Sequence, residues 1–168
     1  MEYTKLSNGI SAPLLGIGTF QISPANTENA VYSAIKDGYR LIDTANTYMN
    51  EEAVGKGIKK AVDEGLVNRS DLFVSTKLWP TLYENDHAVN DTLKRLGLDY
   101  VDLLFIHQPA GNYMAGYENI EQAYKDGRAK SLGISNMYGD KLDNLLSHAE
   151  IKPQVGQYEL HPYFTEKD

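Results

Sequence analysis

The sequence predicts an α/β domain of repeated βα units around a parallel sheet, and three observations predict it. Apolar strand-like runs alternate with longer, mixed, helix-like segments along the whole 168 residues. The runs recur at intervals of roughly 25 to 30 residues, about the length of one βα unit. A single two-residue hairpin signal, Asn8-Gly9 between TKL and ISAP, stands at the start and nowhere else. No linker, low-complexity tract or charge block interrupts the alternation, so residues 1–168 read as one domain.

Each element has its own local reason. After the hairpin, LLGIG (14–18) is a short apolar run, followed by a helix-like segment over 27–37 that ends at Gly38. RLID (40–43) is the second strand. Asn50, Glu51 and Glu52 then place a capping side chain and negative charge at the start of a helix over 51–64, which Gly65 closes. LFVST (72–76) is the third strand, and Asn85 precedes a helix over 86–96 that ends at Gly97. VDLLFI (101–106) is followed by a helix over 117–126 and Gly127; AKSLGI (129–134) by a helix over 139–148; and VGQYEL (155–160) is the sixth strand.

Composition narrows the function classes. There is no cysteine, so disulfides, thiolate zinc sites and cysteine nucleophiles are all excluded. The net charge of -7 without a Lys/Arg cluster argues against nucleic acid or an anionic membrane as partner. MEYTKLSNG has neither the basic start nor the apolar run of a signal peptide, and no stretch approaches the roughly 20 apolar residues of a membrane span. A cytoplasmic protein is the expectation. His87, His107, His148 and His161 lie far apart without metal-ligand spacing, so no metal is expected. Gly16-Ile17-Gly18 is not continued as a dinucleotide fingerprint, because position 21 is Gln, and neither Ser75 nor Ser135 sits in a hydrolase elbow. Glu51 and Glu52 read as a solvated helix N-terminus.

The strand spacing suits a doubly wound sheet or a (β/α) barrel, and both put ligand sites at the C-terminal ends of the strands. The residues found there are chemically selective: Asp43 and Tyr48 after the second strand, Lys77 at the end of the third, His107 after the fourth, Ser135-Asn136 after the fifth, and Gln157 and Glu159 in the sixth.

In these motifs the chain resembles the aldo-keto reductase superfamily of NAD(P)H-dependent oxidoreductases, from the N-terminal hairpin to the last residue. GYRLIDTANTYMNEEAVG resembles the family signature, with Met49 where Gly is usual. The resemblance implies a (β/α)8 TIM barrel, of which the chain carries the hairpin and about the first six βα units. It implies a catalytic tetrad of Asp43 in DTANTY, Tyr48, Lys77 in STKLW and His107 in IHQP. It also implies cofactor contacts at Thr19, Ser135, Asn136 and Gln157, and an aromatic substrate pocket at Phe20 and Trp79, to which Tyr113 adds another candidate wall. NADPH is the implied cofactor, and an aldehyde or ketone the implied small-molecule substrate.

The chemistry supports those residue types. Carbonyl reduction needs a hydride on carbon and a proton on oxygen, and a free phenol of pKa about 10 is a reluctant donor at neutral pH. A lysine ammonium beside Tyr48 is expected to lower that pKa, with Asp43 holding the lysine, while His107 orients the carbonyl oxygen. A (β/α)8 barrel usually takes about 250 residues, so the chain is expected to be truncated at its C-terminal end. Its cofactor grip is then incomplete, and its sheet edges are open to self-association. The second reading is a catalytically impaired fragment, or a non-catalytic binding or regulatory protein on the same scaffold.

Overall fold

The computed structural model describes residues 1–166. A two-stranded antiparallel hairpin, β1 (Tyr3–Lys5) and β2 (Ser11–Pro13), precedes a six-stranded parallel sheet ordered β3 (Gly16–Gly18), β4 (Leu41–Asp43), β5 (Phe73–Leu78), β6 (Leu103–Ile106), β7 (Leu132–Ser135) and β8 (Val155–Gln157). Helices α1 (Pro24–Lys36), α2 (Glu51–Asp63), α3 (Ala88–Leu96), α4 (Tyr113–Lys125) and α5 (Gly139–His148) follow β3 to β7 in turn. The sheet is an incomplete (β/α)8 barrel, open between β3 and β8. Sequential strands of this sheet are always neighbours, with one α-helix between each pair. The register Gly18↔Asp43↔Ser75 brings the C-terminal ends of the first three strands level.

The main core lies between sheet and helices, where Ile42, Val74, Leu104 and Leu132 meet Val31, Ile58, Leu96 and Ile120. Each is essentially free of solvent, a burial that contributes about 1.5–3 kcal/mol per large apolar side chain. On the inner face a smaller cluster joins Ala12 of the hairpin to Phe73, Leu103 and Phe105. The hairpin thus covers the N-terminal end of the barrel and leaves the C-terminal end to the polar residues.

Several local expectations change. The hairpin loop is three residues, not two: the Gly9 amide donates to the Leu6 carbonyl, the Leu6 amide to that of Ile10, and Gly9 takes φ 89°. This is a turn closed by a glycine bulge. Helix α1 begins at Pro24, whose fixed φ suits a first helical position. Helix α4 begins at Tyr113, where the Asn112 side chain accepts from the Ala115 amide, four residues before the expected start. Asn50 stands at the N-terminus of α2 but makes no cap bond there. Its amide instead donates to the Thr19 and Ile22 carbonyls and ties the β3–α1 loop to α2. Glu51 is not solvated either. It is 2% exposed and accepts from Thr76 Oγ1 at 2.8 Å and Arg95 Nε at 2.7 Å.

Candidate active site

Strand β5 is buried along its whole length although its centre reads Ser75-Thr76-Lys77. Polar side chains are tolerated there only when hydrogen-bonded, and each has a partner. Thr76 points outward to Glu51. Ser75 and Lys77 point into the barrel, where Ser75 Oγ donates to Asp43 Oδ1 and Lys77 Nζ to Asp43 Oδ2, both at 2.5 Å. Lys77 Nζ also donates to the Thr44 carbonyl at 3.0 Å and to Tyr48 Oη at 3.5 Å. Asp43, Lys77 and Tyr48 therefore form one line, from the buried base of the site to its mouth.

Tyr48 reaches that line because the chain after β4 turns through a short 3₁₀ segment, Asn46–Tyr48. Asn46 Oδ1 fixes the segment by accepting from the Trp79 amide at 3.0 Å, which joins the Tyr48 turn to the β5 exit. The tyrosine ring lies 5.0 Å from Phe20 and 5.7 Å from His107, and Trp79 stands edge-on to His107 at 5.0 Å. These rings border an open cavity of about 590 Å³, lined also by Asp43, Thr47, Gln108, Ser135, Asn136, Gln157, Tyr158 and Glu159.

The electrostatics differ from the sequence expectation in one respect. Tyr48 is not drawn down by Lys77; burial, aided by the Asp43 charge, pushes its pKa up to about 12. Lys77 is matched by Asp43 at shorter range, so its charge does not outweigh the burial of the phenol. The tyrosine is therefore protonated at neutral pH. Burial also draws the Lys77 pKa below its ordinary value, against the pull of Asp43. Burial, with the Lys77 charge, lowers His107 to about 4, so its imidazole is neutral at pH 7. Among the described residues His107 Nδ1 is buried without a partner. An orphaned N–H costs more than an orphaned lone pair, which assigns the single ring proton to Nε2.

Ser135, Asn136 and Gln157 come together at the ends of β7 and β8. Asn136 has φ 56°, and its backbone amide donates to the Gln157 carbonyl, while Nδ2 makes only long bonds to Ser135 Oγ (3.2 Å) and the His107 carbonyl (3.4 Å). Two of the expected residues lie elsewhere. Thr19 is fully buried, with Oγ1 donating to Thr44 Oγ1 at 2.9 Å, so its side chain is turned away from the cavity. Tyr113 sits at the start of α4, where its hydroxyl accepts from Asn144, and is not part of the cavity wall. Ser75, the Thr44 carbonyl and Asn46 were missed by sequence reasoning. For Ser75 a signal existed, a polar residue two positions before Lys77 and so on the same inward face of the strand.

Among the described residues no cluster of acidic or histidine side chains could hold a metal ion, and no helix is long and apolar enough to cross a membrane.

The sequence profile of the aldo/keto reductase family matches residues 13–168. The chain is 44% identical to an uncharacterized oxidoreductase, YtbE, of Bacillus subtilis over 168 residues, covering 97% of this chain and 60% of that protein. It is 44% identical to morphine 6-dehydrogenase of Pseudomonas putida, covering 96% and 55%. Among solved structures, the Bombyx mori aldo-keto reductase AKR2E4 in complex with NADP superposes with a TM-score of 0.93 at 36% identity, over 99% of this chain and 60% of that one. The chain spans between 55% and 60% of the length of these relatives.

Proposed function

The chain belongs to the aldo/keto reductase family, and from that premise we propose that its site serves NADPH-dependent reduction of an aldehyde or ketone to an alcohol. The observation that carries this reading is the line Asp43–Lys77–Tyr48 beside a neutral His107 in one cavity. Tyr48, protonated at neutral pH, is the proton donor to the carbonyl oxygen. Lys77, held by Asp43, stays beside the phenol and stabilises the phenolate that proton transfer leaves behind. His107 donates from Nε2 to the same oxygen and orients it, and a preorganised donor of this kind contributes on the order of 3 kcal/mol. Phe20 and Trp79 form the apolar walls against which the substrate rests.

The residues present fit the nicotinamide end of a dinucleotide. A carboxamide needs both donors and acceptors, and the Gln157 amide, which makes no side-chain hydrogen bond among the described residues, lines the cavity with Ser135 and the weakly committed Asn136. When bound there, the reduced cofactor supplies the hydride. The three side chains hold and orient its amide, and Tyr48 delivers the proton.

Tyr48→Phe removes the donor and one hydroxyl at the cavity wall. In a form whose barrel is completed by further chain or a second copy, assayed with NADPH and an aldehyde, turnover is expected to fall by about 10² to 10⁴ while circular dichroism and the melting temperature stay close to the parent's. Undiminished turnover would exclude Tyr48 as the acid.

A further inference from the structure

Tyr83 takes no part in the cavity lining, yet it makes an unusual pair of bonds. It follows the 3₁₀ turn Pro80–Leu82, four residues after Trp79, and is wholly buried. Its hydroxyl donates to the Gln108 carbonyl at 2.7 Å and accepts from the Gln108 amide at 3.0 Å. One side chain thus serves both polar groups of a backbone unit that has just left the β6 ladder. The ring packs closely on the Gly116 backbone of α4, where an added Cβ would come to 2.5 Å from Tyr83 Cγ. The Tyr83 carbonyl accepts from Asn119 Nδ2 at 2.7 Å.

The residue this matters to is His107. Its Nδ1 has no partner among the described residues, so no side-chain hydrogen bond among them turns the imidazole, as one does in most positioned histidines. Backbone placement and ring contacts must do it instead. The His107 amide is fixed to the Leu78 carbonyl, and the ring is held edge-on between Trp79 and Tyr48. Tyr83 anchors the residue after His107 and belongs to the loop that carries Trp79.

We propose that Tyr83 is a positioning residue of this site, one hydroxyl that joins the Trp79 loop to the His107–Gln108 backbone and thereby sets the angle of the imidazole. Its consequence for turnover rests on the reduction reading given above; its structural claim does not.

Trp79 is the only tryptophan in the sequence, so its fluorescence reads the site directly without catalysis. In Tyr83→Phe the acrylamide quenching constant of Trp79 is expected to rise about twofold, with a red-shifted emission, as the loop opens locally. Loss of the acceptor should also speed Gln108 amide exchange by about tenfold or more, the factor that corresponds to about 1.4 kcal/mol. Tyr117→Phe is the matched control: Tyr117 is equally buried on α4, and its hydroxyl donates to the Ile151 carbonyl at 2.8 Å, outside the site. It should lose stability to a similar degree with Trp79 quenching unchanged. An unaltered Trp79 signal in Tyr83→Phe, or an equal change in both variants, overturns the proposal. If Tyr83→Phe does not fold, Asn119→Ala, which frees the Tyr83 carbonyl from the periphery, should move Trp79 in the same direction by less; no movement overturns the proposal. A Trp79 response specific to Tyr83→Phe, in a form with the barrel completed that still reduces no carbonyl, supports the positioning claim and overturns only the assigned reaction.

Discussion

His107 has a pKa lowered to about 4 by burial and by the Lys77 charge, with Asp43 opposing. A base whose folded pKa is depressed contributes stability that is present above its unfolded value, near 6.5, and is lost as pH falls through the folded one. Between pH 7 and pH 4 the unfolded chain takes up a proton at this position and the folded chain resists it, at a cost on the order of 3 kcal/mol. His107→Gln removes that contribution. Urea unfolding at the two pH values should therefore show the parent losing on the order of 3 kcal/mol more than the variant, and equal losses would mean that the imidazole is hydrated. Tyr48 has the opposite edge. Its raised pKa, about 12, gives stability that is present below pH 10 and lost as pH rises through 12, so Tyr48→Phe should flatten the alkaline limb of the stability profile. At this scale the sequence was readable where the residue type is rare for its place: a phenol, an ammonium and an imidazole at three strand ends have few structural uses. Ser75 was readable only as a polar residue on the inward face it shares with Lys77, and Asn46 was not readable at all, because amides near turns are common; their partners, Asp43 and the Trp79 amide, are 32 and 33 residues away.

Elements position these groups through a few backbone decisions. The turn that presents Tyr48 ends at Met49, which has φ 58° and is 80% exposed. A left-handed conformation costs an L-residue about 1–2 kcal/mol, and an exposed methionine side chain recovers little of it by packing. The sequence showed Met where the resembled signature has Gly; the structure gives that substitution a physical meaning. Met49→Gly relieves the strain and increases unfolded-state entropy, so the expected net gain is below the full strain, about 0.5–1 kcal/mol. Thermal melts should show a small rise in Tm, with no rise meaning that Met49 makes compensating contacts. Element types and order were legible because apolar period and glycine exits agree, as at Gly38 (φ 97°) and Gly97 (φ 64°). Side-chain destinations at helix starts were not. Asn50 and Glu51 have the composition of a solvated cap, but α2 packs its first turn inward, and long-range partners claim both side chains. Arg95→Ala would leave the Glu51 carboxylate buried with only Thr76 beside it. Removing one partner of a buried pair costs up to about 3–5 kcal/mol, and because Arg95 is 36% exposed the lower end is expected, read as a fall in urea midpoint that Glu51→Gln in the same background partly restores.

For the molecule as a whole, the wall of the cavity decides what residues 1–168 can hold. Among the described residues it carries two carboxylates, Asp43 and Glu159, and no lysine or arginine faces it, Lys77 being spent behind Asp43. Phosphates are usually gripped by charge-assisted bonds from such cations. What the described strands offer NADPH is Ser135, Asn136 and Gln157, three neutral hydrogen-bonding side chains worth about 0.5–1.5 kcal/mol each. Their sum is comparable to the roughly 4 kcal/mol of a millimolar complex and well below the 8 kcal/mol of a micromolar one, before any ordering cost. Among the described residues two short parallel strands, β3 and β8, also leave their outer edges without partners in the sheet, so the cavity is open on the side where a closed barrel would have a wall. We therefore expect residues 1–168 alone to bind NADPH at about millimolar Kd or weaker, and to reduce aldehydes only when further chain or a second copy completes the sheet. Fluorescence titration of the monomer, with sedimentation run on the same sample to exclude association through the open edges, measures this directly. Micromolar affinity in a monomer of 168 residues would mean that the phosphates find cations on another face of the molecule.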